Sequence, residues 1–407
     1  MKKIKILSVF VCLAFWFVSC QNEEEPEKSY SARTVLVYIA GDNSLGQAGF
    51  DSEDVEEMIR GMKNTDGTEN NLLVYWAGYH GDAHLIRLVK NGKGEVRQET
   101  VMDYGNQNSV SVDVMKDVFR TAFSNYPAKS YGIVFWSHGD GWRFYQNPST
   151  RWWGQDASDG DYRMNIPDLH EALSAAPHFD FILFDACYMQ SVEVVYQLQD
   201  CADYFIGSPT EIPGPGAPYE EVVPALFSQD NPAINIAKNY YAVYEEKYDN
   251  GANMSNDNWT GGVSISVVKS SELPALAAAT REFLLAGTKK NNYIDVNNSG
   301  ILCYDPYRDK SYHDMMGLMR KMKEDDRAQA FENYENIYRN TVVWMKSTDK
   351  NYCTNSAGIG WMASMEGFQG LSTYILRENQ SVQQTYYRQF VEWYSAAGWS
   401  DIDWVGD

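Results

Sequence analysis

The chain has 407 residues, 44% hydrophobic and 14% aromatic, enough to bury one large core or two modest ones, which argues against wholesale disorder. A formal charge of −21 with no dense basic patch argues against a nucleic-acid partner, because a phosphate backbone is bound by clustered Lys and Arg. Six cysteines without a CxxC pair are not a disulfide framework in a chain this long, although one bridge, such as Cys303 to Cys353, stays open.

The N-terminus reads as an export signal: MKKIKI is basic, LSVFVCLAFWFV is apolar, and Ser19-Cys20 follows. That apolar stretch is shorter than the roughly 20 residues a spanning helix needs. FVSC at 17–20 resembles a lipoprotein box, which implies a signal peptide over 1–19, acylation of Cys20, and display of a bacterial lipoprotein on the outer membrane or cell surface. Plain cleavage nearby is the other reading. Residues 20–33, in which QNEEEPEKS follows Cys20, are too charged to pack and read as an acidic tether.

TVLVYIA (34–40) predicts a buried strand, and Asp51–Lys63, acidic early and basic late, predicts a helix. LLVYWAG (72–78) is a second strand. HLIRLV and EVRQETV predict a hairpin across Asn91-Gly92. A helix is expected over Val110–Phe123, then strands at YGIVFWS (131–137) and FDFILFDA (179–186), both continuously apolar and so covered on two faces. YFIGS (204–208) and GVSISVV (262–268) are further strands, separated by the loop and helix of IPGPGAPYEEVVPAL. Strands alternating with helices predict an α/β layered fold with a mainly parallel sheet and reactive loops at the carboxyl ends of the strands. Beyond about 271 long helical patterns take over, Glu272–Leu285 and Asp309–Met345, followed by GIGWMAS and GLSTYIL as paired strands and a helix near 382–396. The expected division is a catalytic region over 34–270 and a mixed helical and β region over 271–407, either separate or layered on the same core.

Chemistry concentrates at two strand ends. YGIVFW runs into Ser137-His138-Gly139-Asp140-Gly141-Trp142, and FDFILF runs into Asp185-Ala186-Cys187-Tyr188-Met189. Each places a reactive side chain where a strand stops, and the spacing of about 50 residues fits one βαβ excursion, with the two groups on neighbouring strands. An imidazole beside a thiol could draw off its proton so that the sulfur attacks an amide carbonyl, then protonate the leaving amine. The Gly139 and Cys187 amides are the expected oxyanion donors. No third orienting side chain is evident. A free thiol kept in an oxidising compartment also wants a chemical reason.

SHGDGW (137–142) and DACYM (185–189) resemble the His and Cys motifs of the clostripain-like cysteine peptidases, relatives of the caspase and legumain fold; TVLVYIAGDNSL (34–45) and SPTEIPGPGAPY (208–219) resemble flanking family segments. Relatives often carry an acid where Ser137 stands. The resemblance implies a caspase-like α/β/α sandwich and cleavage after Arg or Lys, with Asp185 at the base of the S1 pocket and Thr210 and Glu211 as candidate lining. A carboxylate in a narrow pocket would indeed favour a cation. Family members often cut themselves between the two motifs, and Arg151 is the first candidate there, ahead of Arg143 and Arg163.

Other signals are weaker. His80 and His84 have a metal-like spacing interrupted by Gly81-Asp82 and read as a turn. Asp156, Asp159 and Asp161 with Ser158 and Gly160 could take Ca²⁺ but lack an EF-hand glutamate, so a solvated loop is preferred. His170, His178 and His313 have no motif context, and Cys201 reads as packing. No cofactor or metal is required by this chemistry. Protein or peptide substrates with basic P1 residues, a membrane reached only through Cys20, and a monomer are expected. Two rivals stay open: a non-catalytic surface lipoprotein that binds protein or glycan, and a thiol hydrolase or transpeptidase of cell-wall peptides.

Overall fold

Ten consecutive residues beginning at Ser31 form the strand on which the molecule is built. In β1 (Ser31–Ala40) the side chains alternate: Leu36, Tyr38 and Ala40 enter one hydrophobic core, while Val35, Val37 and Ile39 enter another. A strand that is apolar at every position is therefore one that feeds two layers, as its period of two requires. The computed structural model describes residues 30–65, 69–143, 152–255, 258–287, 294–323, 325–375 and 381–402.

The strands that follow are β2 (Asn70–Ala77), β3 (Ala83–Lys90), β4 (Val96–Gly105), β5 (Ala128–Trp136), β6 (Trp153–Asp156), β7 (Tyr162–Met164), β8 (Phe179–Asp185), β9 (Ala202–Gly207), β10 (Met254–Ser255), β11 (Asn258–Trp259), β12 (Ser264–Lys269), β13 (His313–Asp314), β14 (Val342–Ser347), β15 (Lys350–Thr354), β16 (Gly360–Ser364) and β17 (Ser372–Thr373). Nine of them make one sheet in the order β14-β12-β9-β8-β5-β1-β2-β3-β4. The five central strands, β9 to β2, pair in parallel, and antiparallel pairs flank them on both edges. On one face Val55, Met58 and Met62 of the helix Phe50–Lys63 pack with Val222 of Tyr219–Leu226 and Ile236 and Tyr240 of Pro232–Lys247. On the other, Met115 and Phe119 of Val112–Asn125 pack with Leu169 of Ile166–Leu173, Phe283 of Leu273–Ala286 and Tyr334 of Ala328–Thr341. The expected α/β/α sandwich is the observed one.

Before residue 270 the structure adds elements that were not expected, among them β6, β7 and the helices Ile166–Leu173 and Pro232–Lys247, whereas the C-terminal third departs from the expected elements themselves. The expected helix over Asp309–Met345 is two helices, Met315–Met322 and Ala328–Thr341, and its last residues instead form β14, the sheet's edge. GIGWMAS does not pair with GLSTYIL: β16 pairs with β15, and β17 pairs with β13. Residues past 270 thus complete the sheet begun at residue 31, and 31–407 form one compact unit.

Candidate active site

Register decides which loops meet. In the parallel pair β5 and β8, Trp136 lies opposite Asp185, and Ile39 near the end of β1 lies opposite Trp136. His138 and Cys187 each follow their strand's register residue by two positions, so they emerge side by side at the carboxyl edge of the sheet, with the Gly41–Ser44 loop beside them. His138 and Cys187 open onto one cleft of about 400 Å³ whose walls also include Leu45, Gly139, Asp185, Glu211 and Arg308.

Buried polar contacts hold this edge. The Ser137 hydroxyl donates to the Ala40 carbonyl (2.7 Å) and accepts from the Gln155 amide (3.1 Å), and Asn43 Nδ2 donates to Ala40 O and Gln155 O. Ser137, where relatives often carry an acid, thus ties three strand ends together rather than tuning the imidazole. Gly139 is needed for approach: a Cβ there would stand 2.7 Å from the Cys187 carbonyl oxygen, so only glycine lets the two loops touch. Tyr188, directly after the thiol, has φ +61°, a costly conformation for an aromatic residue. It is held there by its amide on Thr210 O (3.0 Å), its hydroxyl on Glu211 Oε1 (2.9 Å), and a stack on Tyr312 at 4.8 Å.

The Cys187 sulfur accepts from the Ile212 amide at 3.5 Å, and His138 Nε2 meets the Ser44 hydroxyl at 2.8 Å. No hydrogen bond joins the two side chains among the described residues. Burial pushes the Cys187 thiol up to about 12, aided by the Glu211 charge and opposed by the Ile212 amide and Arg308. Burial also pushes His138 down to about 4, with the Arg163 charge acting in the same sense. Both groups are therefore neutral at pH 7, a proton donor and a proton acceptor sharing one cleft. The Gly139 and Cys187 amides hydrogen-bond to no other described residue, so two donors are uncommitted at the same edge.

Asp185 is wholly buried at the cleft base, where Oδ2 accepts from the Ala217 amide (3.0 Å) and Tyr219 hydroxyl (2.9 Å) and Oδ1 from the Tyr240 hydroxyl (3.1 Å). Desolvation still raises it to about 6 against those three donors. Gly216, at φ +71°, passes so near that a Cβ would meet Asp185 Oδ2 at 2.9 Å. Glu211 is at the wall; its Oε1 accepts from Tyr188 and from the Thr354 amide and hydroxyl. Thr210 does not line the cleft: its buried hydroxyl donates to Tyr304 O at 2.7 Å, which makes it a support for the Cys187 loop.

Of the cleavage candidates, Arg143 is buried in an ion pair with Asp309, and Arg163 lies in β7, paired to Asp161 and stacked 4.4 Å over Trp152. Arg151 and Cys20 lie outside the described residues. His80 sits in a turn and His84 in β3, where it meets Asp103 at 2.7 Å. Asp156 takes four donors, from the amides and hydroxyls of Ser109 and Ser158, and so clasps its loop. No disulfide joins Cys303 to Cys353, nor any other pair of cysteines among the described residues. Sequence reasoning missed Ser44, Ile212, Arg308 and Thr354. GDNS carried a turn signal that could have flagged Ser44, but nothing local could have brought Arg308 and Thr354 to a cleft more than a hundred residues upstream.

A thiol and an imidazole on adjacent parallel strand ends of an α/β/α sandwich, with a buried carboxylate lining the same cleft, are the groups that a cysteine peptidase of caspase-like architecture requires. Residues 37–404 match the clostripain family, and the chain belongs to it. A secreted C11 cysteine protease of Bacteroides thetaiotaomicron, solved with an irreversible peptide inhibitor, is 64% identical over 91% of this chain and 100% of that one, with a TM-score of 0.85. An inactive zymogen C11 protease of Parabacteroides distasonis is 30% identical over 90% of this chain and 98% of that one, with a TM-score of 0.75. Clostripain of Hathewaya histolytica is 25% identical over 217 residues, 46% of this chain and 41% of that relative, so less than half of that relative's length is matched. No helix among the described residues is long and apolar enough to cross a membrane.

Proposed function

We propose that the protein is an endopeptidase cutting after Arg or Lys, with Cys187 as nucleophile and His138 as its base. The observation that carries this reading is the single cleft walled by both groups and floored by Asp185. His138 Nε2 is engaged by Ser44, which leaves Nδ1 as the nitrogen to take the thiol proton as the sulfur attacks the scissile carbonyl. A neutral imidazole is the correct starting form for that step, because a protonated one could not accept. The Gly139 and Cys187 amides would receive the oxyanion, the imidazolium would protonate the leaving amine, and water would release the acyl group.

The P1 side chain would run to Asp185. Its three hydrogen bonds leave lone-pair capacity for a fourth donor, and a guanidinium or ammonium arriving there supplies the counter-charge the buried carboxylate lacks. The same enzyme, exported and anchored through Cys20, would act on peptides as a monomer and cut itself after Arg151, in the interval between its two motifs. Fluorogenic peptides with Arg, Lys and neutral P1 residues, offered to the mature protein and to Cys187→Ala, test the reading: cleavage of the basic peptides alone, absent in the variant, is expected. Preference for neutral or cell-wall peptides, or no cleavage by protein of verified mature mass, overturns it. Mass spectrometry of the N-terminus and of internal ends checks the lipid and the cut.

A further inference from the structure

At the opposite edge of the sheet a second cleft, of about 490 Å³, opens between the helix Ile166–Leu173 and the turn that leads into β9. Its lining includes His170, His178, Asp200 and Cys201. His170 Nε2 stands 2.9 Å from Asp200 Oδ1, and Cys201 Sγ stands 3.6 Å from the same oxygen. One ligand atom from each of the three residues lies within 4.8 Å of the other two. A tetrahedral zinc-type ion, with bonds of about 2.0–2.3 Å, holds neighbouring ligand atoms roughly 3.3–3.6 Å apart. Two of the three spacings already lie within about half an ångström of that, while His170 and Cys201, within 4.8 Å of each other, would be drawn together by up to about an ångström.

We propose that His170, Asp200 and Cys201 form a divalent-cation site of the zinc class, with a fourth position open to water. Donor chemistry selects the ion: a thiolate and an imidazole beside one carboxylate suit a borderline-soft ion, whereas Ca²⁺ asks for six or more oxygens. His178 steadies the ligand turn, its Nδ1 meeting the Asp200 carbonyl at 3.0 Å and its Nε2 meeting Asp203 at 3.0 Å. Binding forms a metal–sulfur bond and sends the Cys201 proton to solvent. The imidazole moves its proton from Nε2, which now donates to Asp200 Oδ1, to Nδ1 and binds the metal through the freed Nε2, while the carboxylate gives up the two contacts it now makes for one metal bond. The ion then clasps the helix to the start of β9. This proposal stands independently of the peptidase reading.

The test uses the whole mature chain in a Cys187→Ala background, so that the cleft thiol cannot compete. Titration with Co²⁺ alone is expected to give one equivalent with a sulfur-to-cobalt charge-transfer band and tetrahedral visible bands, bleached by Zn²⁺. The band should vanish in Cys201→Ser, and affinity should fall at least about tenfold in His170→Ala. Zn²⁺ should raise the unfolding midpoint of the parent and not that of Cys201→Ser. Asp200→Asn, at an exposed position, serves as a second variant whose fold is safe. Absence of the band with Cys201 verified as reduced, or its persistence in Cys201→Ser, overturns the proposal.

Discussion

Two partly or wholly buried thiols stand at opposite ends of adjacent strands, Cys187 just past the carboxyl end of β8 and Cys201 just before the amino end of β9. Burial pushes both up to about 12, so their acidity does not distinguish them. Their neighbours do. Cys187 is met by backbone donors, the Ile212 amide at 3.5 Å with the uncommitted Gly139 and Cys187 amides nearby. Cys201 is met by an acceptor, the Asp200 carboxylate, which also accepts from the His170 imidazole. Donors around sulfur suit a reaction in which negative charge builds on an incoming carbonyl, while acceptors around sulfur suit a cation. The same side chain thus meets a different electrostatic setting at each end of the sheet, and the two proposals follow that difference.

Replacing Cys187 by Ala should sharpen this contrast most, lowering turnover of Arg peptides by about 10⁴-fold or more in a fluorogenic assay, since it removes the nucleophile of the proposed reaction. Asp185→Asn should reduce kcat/KM for Arg-P1 peptides by about 10²–10³-fold, the effect of a lost buried charge partner of ~3–4 kcal/mol, while neutral-P1 peptides lose far less. An equal loss on both would mean that Asp185 only braces the loop.

The pH profile separates the same two groups. Asp185 must be ionised to hold a cation, so kcat/KM for Arg peptides should fall as pH drops through about 6. His138 must be neutral to act as base, so neutral-P1 peptides should keep their rate until pH approaches about 4. Coincident limbs for both substrates would break that assignment. Ser44→Ala, which frees Nε2, is expected to lower kcat by about tenfold with KM little changed and to move the acid limb; a change in KM alone would make Ser44 a substrate contact. At the far end, Lys116→Ala removes a pair with the exposed Glu171 in which Lys116 is partly buried, and should change stability by no more than about 1 kcal/mol in urea unfolding.

Legibility of the fold followed the periodicity of each segment. β1, β5 and β8 were readable because both of their faces are apolar, and His138 and Cys187 were readable because each ends such a strand. The helix Pro232–Lys247 escaped because its buried face is made of tyrosines and alanines among polar residues. β14 was hidden inside an apparent helix because Val342–Ser347 is an edge strand with half-exposed side chains and no clean alternation. Arg308 and Thr354 reach the cleft only through tertiary packing of the C-terminal region, and His170 comes near Asp200 and Cys201 only when Ile166–Leu173 docks beside them. None of these contacts has a signature at short range.

The adjacency of β5 and β8 has a last consequence. Five residue pairs, Gly132–Phe181 through Trp136–Asp185, join a strand before residue 143 to one after residue 152, and the Arg143–Asp309 pair adds a buried bridge from the leading segment to the trailing one. A backbone scission between those strands would therefore leave a two-chain protein whose pieces share every layer of the sandwich. It should run as one species in gel filtration and as two bands after boiling in detergent, with the cleft still assembled from both fragments.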